Sequence, residues 1–146
     1  MRLRRILHAT DFSTASRAAF RMAVGLAQRE TARLLLLHVL TPPSPLVSGR
    51  RPPLSYLELL AMARREARRR LDRALAQARA AGGRVEGKLA EGGAVEEILK
   101  VGRRWRPDLI VIGTHGRGGV RRFLLGSVAE QVVRRASRPV LTVRGR

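Results

Sequence analysis

The chain of 146 residues has no cysteine, which excludes a disulfide framework, a thiolate metal site and a cysteine nucleophile. Aromatic residues are scarce: Phe12, Phe20, Tyr56, Trp105 and Phe123 are the whole set. That leaves little for the base-stacking platform of a single-stranded nucleic-acid binder. Lysine is almost missing, with only Lys88 and Lys100. No apolar run approaches the roughly 18 residues that a membrane span needs. The arginines near the N-terminus precede a strand-like segment ending in Asp11, not the apolar core of a signal peptide. A cytoplasmic location is the expectation.

The chain is instead strongly basic. Thirty Lys and Arg stand against eleven Asp and Glu, a formal net charge of +19. Two of the thirty are lysines, so 28 are arginines. Such a charge can serve polyanion binding. Here arginine and alanine are abundant everywhere, which reads as compositional bias. The densest segment, RREARRRLDR at residues 64–73, holds six arginines against Glu66 and Asp72. On a helix these spread around a solvated face, so nucleic acid is expected to bind only weakly and without sequence preference.

Short β-like runs alternate with helical ones. Residues 4–10 read as a buried strand, and a helix capped by Ser13 or Thr14 follows to about Glu30, with Ala15, Ala19, Met22 and Leu26 on one face. Residues 33–39 form the second strand. Residues 41–53 hold five of the seven prolines and are a loop. Residues 55–81 read as a long helix with Leu57, Leu60, Ala67, Leu71, Ala74 and Ala78 on one side, stopped by Gly82-Gly83. A third strand spans 84–90, a helix on Val95, Ile98, Leu99 and Gly102 spans 94–105, and a fourth strand spans 108–113 beyond Pro107. A short helix at 128–136 and a strand at 139–143 complete the chain. This βα alternation, in one domain over 1–146, means a parallel sheet with helices on both faces.

The segment GTHGRGGVRRFLLGS, from Gly113 to Ser127, lies between the fourth strand and the last helix. Glycines let backbone N–H groups approach an anion, and a helix start supplies donors without partners. The spacing is neither the Walker pattern nor GxGxxG. It is G-x2-G-x9-G-Ser, and it resembles the nucleotide-binding signature of the universal stress protein family, in its ATP-binding branch. The opening Ile6-Leu-His-Ala-Thr-Asp11, the run Leu34-Leu-Leu-Leu-His-Val39 and the close Arg138-Pro-Val-Leu-Thr-Val143 are similar to that family's first, second and last strands.

The resemblance implies a doubly wound five-stranded sheet in the order 3-2-1-4-5. Ligands then bind where strands 1 and 4 part at their carboxyl ends. It implies ATP as cofactor, with Mg2+ an optional companion of the phosphates. Gly113 and Gly116 would let the backbone pass close to the triphosphate. Gly126 and Ser127 would clamp the phosphates, with Val128 and Ala129 adding backbone donors. The family often carries a hydroxyl residue where Ala129 stands. Asp11 would accept from ribose or adenine or face the metal, or else cap the first helix. Val39 would offer main-chain groups to the adenine edge, and Thr10 and Ile112 would pack around the base. Ser127 can also act as an N-cap. Arg117, Arg121 and Arg122 could pair with phosphates or be solvated. His115 is too isolated for metal, and His8 and His38 read as core histidines.

The functional reading is an ATP-binding regulatory or stress-response protein that acts through dimerisation and partners. No acidic pair adjoins the glycine loop, so the enzyme alternative is at most a slow ATPase. The other alternative is a polyanion-binding module. A homodimer is expected through the last strand, Val140 to Val143, which is an apolar edge in the implied order.

Overall fold

A computed structural model describes residues 1–42, 54–114 and 126–145. Its elements are β1 (Arg5–Ala9), α1 (Ser16–Glu30), β2 (Arg33–Leu40), α2 (Leu54–Ala80), β3 (Arg84–Glu91), α3 (Ala94–Trp105), β4 (Leu109–Gly113), α4 (Ser127–Arg135) and β5 (Val140–Val143). The strands form one parallel sheet in the order β3-β2-β1-β4-β5. The doubly wound architecture expected from the sequence and the strand order implied by the family resemblance are both present.

The central strands are apolar on both sides because helices cover both faces. Alternate residues divide between two cores. Ile6, Leu34, Leu36 and Val111 pack under α1 and α2, against Ala19, Ala23, Ala27, Leu71 and Ala78. Leu7, Leu35, Leu37, Ile110 and Ile112 pack under α3 and α4, against Val95, Ile98, Leu99, Ala129 and Val132. β1 lies between β2 and β4, with Ala9 in register with both Leu37 and Ile112. β2 runs three residues beyond this level, to Leu40, and β4 one, to Gly113, and the crevice between β1 and β4 opens where β1 stops.

Two expected helix faces are corrected. α1 buries Ser16, Ala19, Ala23, Val24 and Ala27, while Met22 is exposed and Leu26 half-buried. Its inward stripe is made of small residues, which lets the helix lie close to the sheet. In α2 the inward residues are Ala67, Leu71, Leu75 and Ala78, and Leu57 is exposed. A helix of 27 residues is about 40 Å long, whereas an eight-residue strand spans about 26 Å. The first turns of α2 therefore have no sheet to cover. Leu75 seats over the edge strand because Gly87 has no Cβ; one there would lie 2.7 Å from Leu75 Cδ1.

The amino-terminal edge is tied by Asp108. Its Oδ2 accepts the Arg4 and Arg5 N–H groups at 2.7 and 2.9 Å, fixing the start of β4 to the start of β1. These bonds hold its carboxyl below the usual range. Asp108→Ala leaves both amides without this acceptor and should cost about 2 kcal/mol in urea unfolding. An unchanged midpoint would show that the tie contributes nothing.

His8 sits wholly inside the core. Its Nδ1–H donates to the Val111 carbonyl at 3.0 Å, and Nε2 has no hydrogen-bond partner among the described residues. Burial lowers its pKa from 6.5 to about 4, against the opposing pull of the Val111 bond and the Asp11 charge. The unfolded chain takes up a proton at this residue below about pH 6.5 that the folded chain does not bind until about pH 4. Stability should therefore rise with pH across that window and fall on acidification, by up to about 3 kcal/mol. Denaturation midpoints measured across the window should show this slope, and His8→Leu should flatten it. A wild-type midpoint independent of pH there would contradict the assignment.

Candidate functional site

The carboxyl end of β1 is held by a dense set of hydrogen bonds centred on Thr10. Its N–H donates to the Leu37 carbonyl at 2.9 Å, and its own carbonyl accepts from His38 Nδ1–H at 2.8 Å. Its hydroxyl accepts the Phe12 N–H at 3.0 Å and lies 3.2 Å from Ser16 Oγ. Ser16 Oγ donates to the Ser13 carbonyl at 3.0 Å, so the Thr10 hydroxyl is the donor in the pair they share. Asp11 Oδ1 accepts the Ser13 N–H at 2.9 Å, and Ser13 Oγ accepts the Ser16 N–H at 3.2 Å. The expected cap at Ser13 or Thr14 is corrected: Ala15 is the N-cap of α1 without a side-chain cap bond, and Ser13 instead supports the turn just before it. Asp11 supports the same turn as an Asx bond.

Phe12 occupies this turn with φ at 59°. A bulky residue in the left-handed region is an outlier that surrounding contacts must hold, at a cost on the order of 1–3 kcal/mol. Those contacts are the Thr10 hydroxyl and the His38 ring, whose centroid lies 4.5 Å from that of Phe12. Sequence reasoning missed both residues as parts of the site. A Phe beside an Asp gives no signal of positive φ.

The other wall is the end of β4. A Cβ on Gly113 would lie 3.4 Å from Ser16 Cα and 3.5 Å from the Ala15 carbonyl oxygen, so this strand end abuts the start of α1. The next residue, Thr114, donates its N–H to the Val143 carbonyl at 3.0 Å and accepts the Gly126 N–H at its own carbonyl. The chain therefore leaves and returns at one point around residues 115–125. Gly116, His115, Arg117, Arg121 and Arg122 lie outside the described residues.

Gly126 is the N-cap of α4, with φ −53° and ψ 148°. The expectation that Ser127 caps the helix is corrected: it is the first helical residue and is exposed. The first intrahelical bond runs from the Glu130 N–H to the Gly126 carbonyl at 2.9 Å. The amides of residues 127–129 have no acceptor within the helix, and among the described residues no side-chain bond caps them. A helix start of this kind attracts anions.

Thr10, Asp11, Gly113, Gly126 and Ser127 are thus brought to one end of the sheet, and Val39, next to the last residue of β2, lies on the same side. Ile112 and Ala129 are 5% and 2% exposed and belong to the core under α3 and α4. Their side chains support the crevice from below, and only their backbone groups can face a ligand. The Thr10 side chain is buried against α1.

Comparison with known proteins agrees with this geometry. The universal stress protein family model matches residues 2–144. A universal stress protein of Thermus aquaticus is 36% identical over 139 residues, covering 95% of this chain and 97% of that protein. Universal stress protein UspA from Lactobacillus plantarum superposes with a TM-score of 0.85 at 27% identity, covering 99% of each chain. A universal stress protein from Archaeoglobus fulgidus, solved in complex with dAMP, superposes with a TM-score of 0.71 at 22% identity, covering 99% of this chain and 100% of that one. Other neighbours of the fold have been solved with cAMP and with AMP. In sequence, strand order and the placing of its glycine-bracketed loop, the chain belongs to the universal stress protein family.

Proposed function

We propose that this protein is a cytoplasmic ATP-binding regulator that works as a homodimer in a stress response. The observation that carries the reading is the uncapped start of α4 beside the Thr114–Gly126 bond. The amides of residues 127–129, with the Ser127 hydroxyl, would receive phosphate oxygens. Gly113 ends β4 beside them, and the carboxylate of Asp11 is the acceptor for ribose or adenine. Val39 offers main-chain groups at the adenine edge, and Gly116 extends the phosphate cradle. The family neighbour that holds dAMP supports an adenine nucleotide as ligand. Among the described residues no group of three histidine or carboxylate side chains is placed to hold a metal. Mg2+ would therefore arrive with the triphosphate and be held chiefly by its oxygens. Asp11 already supports the Ser13 amide. Any hydrolysis should be slow, because a second carboxylate to orient water does not adjoin the loop in sequence.

The basic face of α2 supports a regulator over a polyanion module. Of the six arginines at 64–73, Arg64 pairs with Glu91, and Arg69 and Arg70 pair with Glu66. Three of the six are thus engaged with two of the protein's own carboxylates.

Gly126→Val tests the phosphate clamp. Its φ and ψ are open to any residue, so the fold should persist with at most about 1 kcal/mol lost at the cap. The branched side chain would fill space that phosphates need. Calorimetric titration with Mg-ATP should saturate for the wild type and weaken at least about tenfold in the variant, a loss of about 1.4 kcal/mol. Equal affinities would place the phosphates elsewhere.

The dimer is proposed through β5, an outer strand whose four residues are all half-buried. The Pro139 and Val143 carbonyls accept from Ile110 and Thr114, so odd-numbered residues of β5 face β4. The N–H groups of Val140 and Thr142 therefore face outward, and antiparallel pairing about a two-fold axis would join them to a second copy. Thr142→Pro deletes an outward donor and spares the β4 ladder. Light scattering at micromolar concentration should give a dimer for the wild type and a monomer for the variant. A monomeric wild type would refute the interface.

A further inference from the structure

On the opposite face of the sheet from α4, α1 and α2 part to leave an open cleft of about 410 Å3. Phe12, Ser13, Ser16 and Phe20 line it from one side, and Arg70, Arg73, Ala74 and Gln77 of α2 from the other, with Arg17 at its mouth. Thr10 is common to this cleft and the crevice, but the α2 residues place it under a different pair of helices.

The charges of the cleft are unbalanced. Glu66, its one acidic lining residue, is held by Arg69 and Arg70 at 2.7 and 2.9 Å. Arg17 and Arg73 have no ion-pair partner among the described residues. The remaining segments cannot supply a side-chain one, because all eleven Asp and Glu lie within the described residues. Two guanidinium groups thus flank a cavity floored by half-buried Phe12 and Phe20 and by Ala74. Guanidinium pairs suit the paired oxygens of a phosphate, and the rings and the alanine suit a small flat apolar body.

We propose that the cleft between α1 and α2 is a second ligand site, which takes a small organic phosphate ester bearing an aromatic or other planar apolar group. Arg17 and Arg73 hold the phosphate, Gln77 adds a donor at the rim, and Phe20 with Ala74 covers the body. Arg70 is anchored by Glu66 and forms a fixed wall.

Phenyl phosphate is a suitable probe, with inorganic phosphate as the control lacking the apolar body. Calorimetry or amide NMR titration should show saturable phenyl phosphate binding at about millimolar concentration, several-fold tighter than inorganic phosphate. The double variant Arg17→Gln/Arg73→Gln changes two exposed side chains. It should weaken the probe at least about tenfold while Mg-ATP affinity stays within about twofold. Gly126→Val should leave phenyl phosphate binding intact, so this site stands or falls apart from the nucleotide crevice. No binding to the wild type, or loss of the probe in Gly126→Val with retention in the arginine double variant, would overturn the proposal. Equal affinity for inorganic phosphate would overturn the role of Phe20 and Ala74 and with it the class of ligand.

Discussion

Thr10 is the residue on which the arrangement of the site depends. Its amide fastens the end of β1 to β2, its carbonyl orients His38, and its hydroxyl carries both the Phe12 amide and the bond to Ser16. Its side chain supplies an acceptor to the Phe12 N–H where a strand stops and a helix has not begun. It also holds Phe12 in a left-handed conformation, which turns the chain so that Asp11 stays at the crevice while the ring packs on His38. The neighbouring wall adjoins it: a Cβ on Gly113 would just touch Ser16 and Ala15 at the start of α1.

The two halves of the crevice are rigid for different reasons. The β1 side is fixed by side-chain hydrogen bonds, and the β4 side by backbone. Thr114 is pinned to β5 through Val143 and to the start of α4 through Gly126, so the helix start is positioned by the sheet itself. Below both lie the apolar layers that contain Ile112 and Ala129. Donors preorganised in this way lose little on binding an anion, since they have no intrahelical acceptor to give up.

Much of this was legible in the sequence. The runs 34–37 and 109–112 are apolar on both faces, and only a covered parallel strand uses such residues. The glycine spacing located the loop between β4 and α4. On α1 the expected Ala19 does face inward, but Met22 does not: the stripe continues through Ala23 and Ala27, whose small side chains carry a weaker apolar signal than a methionine. Leu57 was placed inward because periodicity carries no information about where the sheet ends. The left-handed Phe12 had no sequence signal, since its conformation is imposed by the Thr10 and His38 contacts. Ser127 was displaced from its expected cap role by Gly126, whose extended backbone fills that position without a side chain.

The central claim is that an adenine nucleotide binds with its phosphates on the amides that open α4. Amide NMR of the wild-type protein titrated with Mg-ATP tests it at the level of single residues. The account predicts the largest shift changes at residues 113 and 126–129 and at Asp11, with the amino-terminal edge around Arg4, Arg5 and Asp108 unaffected. Saturable changes confined to the arginines of α2, or no change at millimolar nucleotide, would contradict it.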